Sequence, residues 1–115
     1  MSPAIRFLLQ DIIAYGEEAC GYVGDLDAEA IVADRMREHA VLRTVQIVGE
    51  ASAQVLKAAP DGIKGLTLRD AAGFRNVLVH GYAKVRMERV VQIVRQSLPA
   101  LIAAAKRVLA QGEQT

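Results

Sequence analysis

Val41-Leu42-Arg43-Thr44-Val45-Gln46-Ile47-Val48-Gly49-Glu50-Ala51-Ser52-Ala53-Gln54-Val55 is the stretch that decides the fold. Val41, Val45, Val48, Ser52 and Val55 follow one another at spacings of four, three, four and three, so they line up as a packing seam on one side of an α-helix. The pattern predicts a long helix from about Ala28 to Ala58. At ~1.5 Å per residue such a helix is roughly 45 Å long, more than a small monomeric bundle needs. Its Val, Ile and Ala content suits an oligomer contact and a core equally.

Working outward from this stretch, helix signals continue in both directions. Ser2 is placed to cap a first helix from Pro3 to about Gly21, with Pro3 in the first helical position. Ile5, Leu8, Leu9, Ile12 and Ala19 lie close to one face of it. Gly21 and Gly24 end that helix, and Asp27 caps the next. On the other side, Pro60-Asp61-Gly62 marks a turn that Gly65 prolongs. Thr67 and Asp70 form a capping pair that opens a third helix from about Leu68 to Val79, after which Gly81 allows a change of direction. Apolar positions resume at Met87, Val90, Val91 and Val94, and again at Leu98, Leu101, Ile102, Ala105, Val108 and Leu109. Pro99 either sits in the first turn of a new helix capped by Ser97 or kinks one continuous helix. The expected architecture is all-α, an up-and-down bundle of four to five helices in one domain over residues 1–115. Met36 and Met87 are assigned to its core, and Tyr15 and Tyr22 to packing.

Composition agrees with such a bundle. Of 115 residues, 52% are hydrophobic but only 4% aromatic, with no Trp, so Ala, Val, Leu and Ile must fill the core. The lone Cys20 cannot close an intrachain disulfide, which points to a reducing, cytoplasmic setting. No apolar run approaches the ~20 residues of a membrane span, and the N-terminus does not read as a secretory leader. The net charge of +1 is unevenly spread: residues 1–63 hold five Lys/Arg against ten Asp/Glu, and residues 64–115 hold nine against three. A basic working surface in the C-terminal half is one reading. Folding interleaves the halves, however, so a solvated helix face is the simpler one.

Chemistry concentrates in Arg75-Asn76-Val77-Leu78-Val79-His80-Gly81-Tyr82. A histidine titrating near neutrality takes a proton from a ribose 2′-hydroxyl or gives one to a leaving 5′-oxygen. An arginine offers a permanently charged planar fork for the phosphate between them. Together they suffice for RNA cleavage in which the 2′-hydroxyl is the nucleophile and no metal is needed. No metal-ligand cluster is visible; His39 has no Cys or carboxylate at ligand spacing. On one ideal helix Arg75 and His80 stand about 140° apart, whereas Asn76 and His80 stack. Either the helix ends before His80, which Gly81 permits, or the site draws groups from two chains, and the two are compatible.

The octet resembles the motif of the HEPN superfamily, specifically the HepT-like toxins paired with minimal nucleotidyltransferase antitoxins. The resemblance extends to the helix bearing Arg43 and Gly49-Glu50-Ala51, to the Leu66–Asp70 lead into the motif, and to Ser97-Leu98-Pro99. Leu68 departs from it, standing where a bulky aromatic is expected. The resemblance implies a homodimer whose two Arg–His motifs meet in an interfacial cleft and cut RNA without metal or cofactor. Arg75 and His80 are then catalytic, and Asn76 orients or binds. Tyr82 is the residue that receives AMP from the antitoxin, silencing the toxin of a type VII-like toxin–antitoxin system. Lys84, Arg86 and Arg89 are candidate RNA contacts, with a solvated face as the alternative. Glu50 is assigned a structural hydrogen bond. The competing functional reading is a non-catalytic HEPN module that binds a nucleotide or scaffolds a nucleotidyltransferase.

Overall fold

The computed structural model describes residues 1–78 and 82–113, the side chain of Glu113 aside. Four long helices form the bundle: α1 (Pro3–Val23), α3 (Arg35–Ala58), α6 (Ala83–Gln96) and α7 (Leu98–Glu113). Three short segments link them: α2 (Ala28–Ala33), α4 (Arg69–Ala72) and α5 (Phe74–Val77). Among the described residues there is no strand, only an isolated bridge between Ile63 and Leu66 in the loop after α3. No described helix is long and apolar enough to cross a membrane.

The seam of α3 is the centre of the core. Val41, Val45, Val48, Ser52 and Val55 are all buried, and α3 packs chiefly along α1, which contributes Leu9, Ile12 and Ala19. Ser52 is tolerated there because its hydroxyl donates back to the Val48 carbonyl at 2.7 Å, which satisfies its polar group within the helix. Helix α7 covers the other side of α1, where Gly16 admits Ile102: a Cβ at Gly16 would lie 3.1 Å from the Ile102 side chain. Each such aliphatic side chain contributes about 1.5–3 kcal/mol on burial, so the aromatic-poor composition is no obstacle to a core.

Several boundaries differ from expectation. The helix foreseen over 28–58 is broken at Asp34, whose extended backbone (φ −102°, ψ 96°) ends α2 and whose carboxylate accepts from the Arg37 N–H at 3.2 Å, capping α3. Asp favours this cap geometry over a helix interior because its short side chain competes for nearby backbone N–H groups. The break leaves α3 about 36 Å long. It also leaves Met36, expected in the core, 85% exposed in the first turn of α3, whereas Met87 is buried as expected. Ser2 and Asp27 cap α1 and α2 through side-chain bonds to the N–H groups of Ile5 and Ala30. Helix α1 runs past Gly21 to Val23 and stops at Gly24, whose φ of +48° suits a residue without a Cβ.

The third helix is also divided. Thr67 and Asp70 make no capping pair; Leu68 precedes α4 without a side-chain cap, and α4 and α5 are separated at Gly73. Bonds from Gly73 N–H to Asp70 O, Asn76 N–H to Gly73 O and Leu78 N–H to Arg75 O span three residues each, the tight pattern of a 3₁₀ turn. Helix α5 ends at Val77. Val79, His80 and Gly81 lie outside the described residues. At Pro99 a new helix begins: the Ser97 N–H closes α6 on Ile93 O at 2.8 Å, and the Ser97 carbonyl accepts from Leu101 at 3.3 Å. Pro99 thus occupies the first turn of α7, where its missing N–H costs nothing.

The acidic and basic halves do not become opposed faces. Lys106 pairs with Glu17 at 2.9 Å, Lys84 lies 3.9 Å from Glu29, and Arg95 donates to the carbonyls of Gly24 and Leu26. Part of the C-terminal positive charge is therefore neutralised by, or anchored to, the N-terminal half. Cys20 is half-buried against the Val94 carbonyl, and burial together with the neighbouring Glu17 pushes its thiol pKa up, so it is a packing residue rather than a nucleophile.

Asp34→Ala removes the α3 cap and should lower stability by about 1 kcal/mol. The expected observation is a lower urea midpoint with an unchanged slope of the unfolding transition.

Candidate functional site

The site is assembled where the α4–α5 segment crosses α3. Gly49 makes the crossing possible: a Cβ there would stand 3.0 Å from Arg75 Cγ, 3.3 Å from the Ala71 carbonyl and 3.4 Å from the Arg75 nitrogen. Two of those three neighbours are backbone and cannot swing away. The close approach lays the Arg75 side chain across α3, where its Nε donates to the Ala72 carbonyl at 3.2 Å. That bond fixes one edge of the guanidinium through a neutral partner and leaves its charge intact.

Arg75 lines an open groove of about 560 Å³ together with His39, Leu42, Arg43, Gln46, Glu50 and Leu78. Its floor is the side of α3 opposite the buried seam. Gln46 is the hinge of that floor: its Oε1 accepts from Arg43 Nη1 at 3.3 Å, and its Nε2 donates to Glu50 Oε1 at 3.1 Å. Glu50 has the structural hydrogen bond assigned to it from sequence. Among the described residues neither Arg43 nor Arg75 has a carboxylate within ion-pairing distance.

The remaining motif residues are distributed around this groove. Asn76 is exposed on α5 beside Arg75. Tyr82, at the start of α6, is 86% exposed, which leaves its phenol open to solvent. His80 lies outside the described residues. Of the three basic candidates on α6, Arg86 donates from Nη1 to the Leu78 carbonyl at 3.2 Å and so anchors the end of α5. Lys84 faces Glu29. Arg89 is exposed beside Gln92 and Gln96. Sequence reading weighed His39 only as a metal ligand and gave Arg43 and Gln46 no role. The signal was present: residues 39, 43, 46 and 50 repeat at four, three and four, a polar stripe running opposite the apolar one.

Comparison with known proteins now bears on this geometry. The family model of the ribonuclease HepT-like proteins matches residues 12–108. The chain belongs to the HepT-like ribonuclease family. Two similar proteins of Methanocaldococcus jannaschii carry names of the same kind. "Putative RNase MJ0125" is 23% identical over 110 residues, covering 96% of this chain and 95% of the relative. "Putative RNase MJ1380" is 24% identical over 97 residues, covering 84% and 89%. No solved structure matches. Within this HepT-like chain, the matched span takes in α3, the Gly49 crossing and the whole Arg75–Tyr82 motif.

Gly49→Ala should cost about 1–3 kcal/mol, because the added methyl crowds Arg75 Cγ at 3.0 Å and the Ala71 carbonyl at 3.3 Å, and the latter is backbone. Comparing its urea midpoint with that of Gly16→Ala tests the cause. Gly16 meets side chains alone, Ile102 at 3.1 Å and Val48 at 4.0 Å, and no backbone among its nearest neighbours, so its substitution should cost clearly less.

Proposed function

We propose that this HepT-like protein is an endoribonuclease toxin that cuts RNA by 2′-hydroxyl attack and works as a homodimer. The observation that carries the reading is Arg75: an exposed guanidinium without a carboxylate partner among the described residues, held on a polar groove five residues before His80. In the proposed reaction Arg75 binds the scissile phosphate and the negative charge that builds on it. The 2′-oxygen bonds to phosphorus while the bond from phosphorus to the 5′-oxygen breaks. One His80 accepts the 2′-hydroxyl proton, and the second His80 of the dimer protonates the leaving oxygen. The products are a 2′,3′-cyclic phosphate and a free 5′-hydroxyl, and no water has to be activated.

Regulation follows from Tyr82. Its exposure supports the proposal that a minimal nucleotidyltransferase antitoxin transfers AMP to the phenolic oxygen, making the pair a type VII-like toxin–antitoxin system. The added phosphate and nucleotide bring negative charge and bulk beside the position where RNA phosphate must sit, which opposes substrate binding.

Purified protein assayed with EDTA should cleave RNA and leave 2′,3′-cyclic ends. His80→Ala and Arg75→Ala should each lower the rate by about 10²–10⁴-fold. Undiminished cleavage by His80→Ala would sink the mechanism. Tyr82→Phe should cleave like the wild type, yet gain no mass when incubated with the nucleotidyltransferase and ATP.

A further inference from the structure

The motif does not account for the floor of the groove. His39, Arg43, Gln46 and Glu50 fall within about 60° of arc on α3 and extend about 16 Å along it. That length exceeds what a single phosphate needs. The hydrogen-bond chain from Arg43 through Gln46 to Glu50 occupies the Glu50 carboxylate with a neutral amide, not with a cation. Arg43 spends a guanidinium donor on Gln46, out of five available. Elsewhere on the same helix arginines find carboxylates: exposed Arg35 with Glu38, half-buried Arg37 with Asp34. Arg43 and Arg75 instead face one groove with no carboxylate paired to either among the described residues, an arrangement that an anion lying between or along them would relieve.

We propose that Arg43, with His39 one turn before it, forms a second phosphate subsite that holds the RNA backbone beside the phosphate bound at Arg75. Gln46 positions Arg43 by accepting from its Nη1. The subsite rests on the ribonuclease reading for its choice of ligand. It has its own measurement, because binding can be followed with the reaction blocked.

The probe is a fluorescent single strand of 2′-O-methyl RNA, which lacks the nucleophile, titrated by anisotropy in EDTA over a series of salt concentrations. Arg43→Ala should weaken binding about tenfold and flatten the salt dependence by roughly one phosphate contact. Arg43→Lys should restore the salt dependence, since it restores the charge. Lys57→Ala removes a charge from the last turn of the same helix, outside the groove, and should leave both quantities unchanged. With cleavable RNA, Arg43→Ala should raise KM and leave kcat near the wild-type value. Wild-type affinity and salt slope in Arg43→Ala would overturn the subsite, as would an equal effect from Lys57→Ala or failure of the wild type to bind the probe. Tight, Arg43-dependent binding without any cleavage of unblocked RNA would instead uphold the subsite and overturn the ribonuclease reading.

Discussion

Everything at the site depends on α3 serving two neighbours with no spare room. One side of the helix is a continuous apolar seam against α1. On its flank the α4–α5 segment approaches so closely at Gly49 that a methyl group would crowd Arg75 Cγ and the Ala71 carbonyl. That approach decides where Arg75 lies. A guanidinium placed a few ångströms farther out would sample solvent; here it is pressed along α3 and tethered by the Ala72 carbonyl. The catalytic proposal therefore rests on a packing fact, the missing side chain at residue 49, as much as on the residues with reactive groups.

The short segments have a related purpose. A single long helix through Gly73 would carry the motif past α3 in one straight line. The three-residue bonds around Gly73 and Leu78 tighten the path and end α5 at Val77. Arg86 then reaches from α6 to the Leu78 carbonyl, tying the end of the motif helix to the element that follows it. Irregular backbone of the kind seen around Gly73 is common where function needs a side chain re-aimed.

Charge organises the surface in a way that composition does not reveal. Part of the positive charge after residue 63 is tied to the N-terminal half, through Lys106–Glu17, Lys84–Glu29 and the Arg95 contacts with the loop after α1. Surface pairs of this type contribute little to stability. They do, however, lower the local field where they occur. At the groove, among the described residues, Arg43 bonds to an amide and Arg75 to a backbone carbonyl, and neither has a carboxylate partner. Positive charge is thus left without an ion pair at the groove while Lys106 and Lys84 face carboxylates, even though the net charge is near zero.

Much of this was legible in the residues alone. The seam from Val41 to Val55 specified a helix and its buried side, since a helical repeat with one apolar stripe has only one way to hide it. Ser2 and Asp27 marked helix starts because their side chains satisfy N–H groups that the helix itself leaves open, a local matter needing no partner. The Arg75–Tyr82 octet and its wider resemblance carried the family. Elsewhere the spacing misled, or its meaning rested on contacts between distant segments. Asp34 broke a helix that periodicity alone would have continued, and Met36 followed it into solvent. Thr67 and Asp70 had the spacing of a cap but not the backbone for it. The polar stripe of His39, Arg43, Gln46 and Glu50 was present in the spacing, yet its meaning depended on what lies above it. Only the tertiary structure brings Arg75 over that stripe, because the close approach at Gly49 joins residues 26 positions apart in the chain.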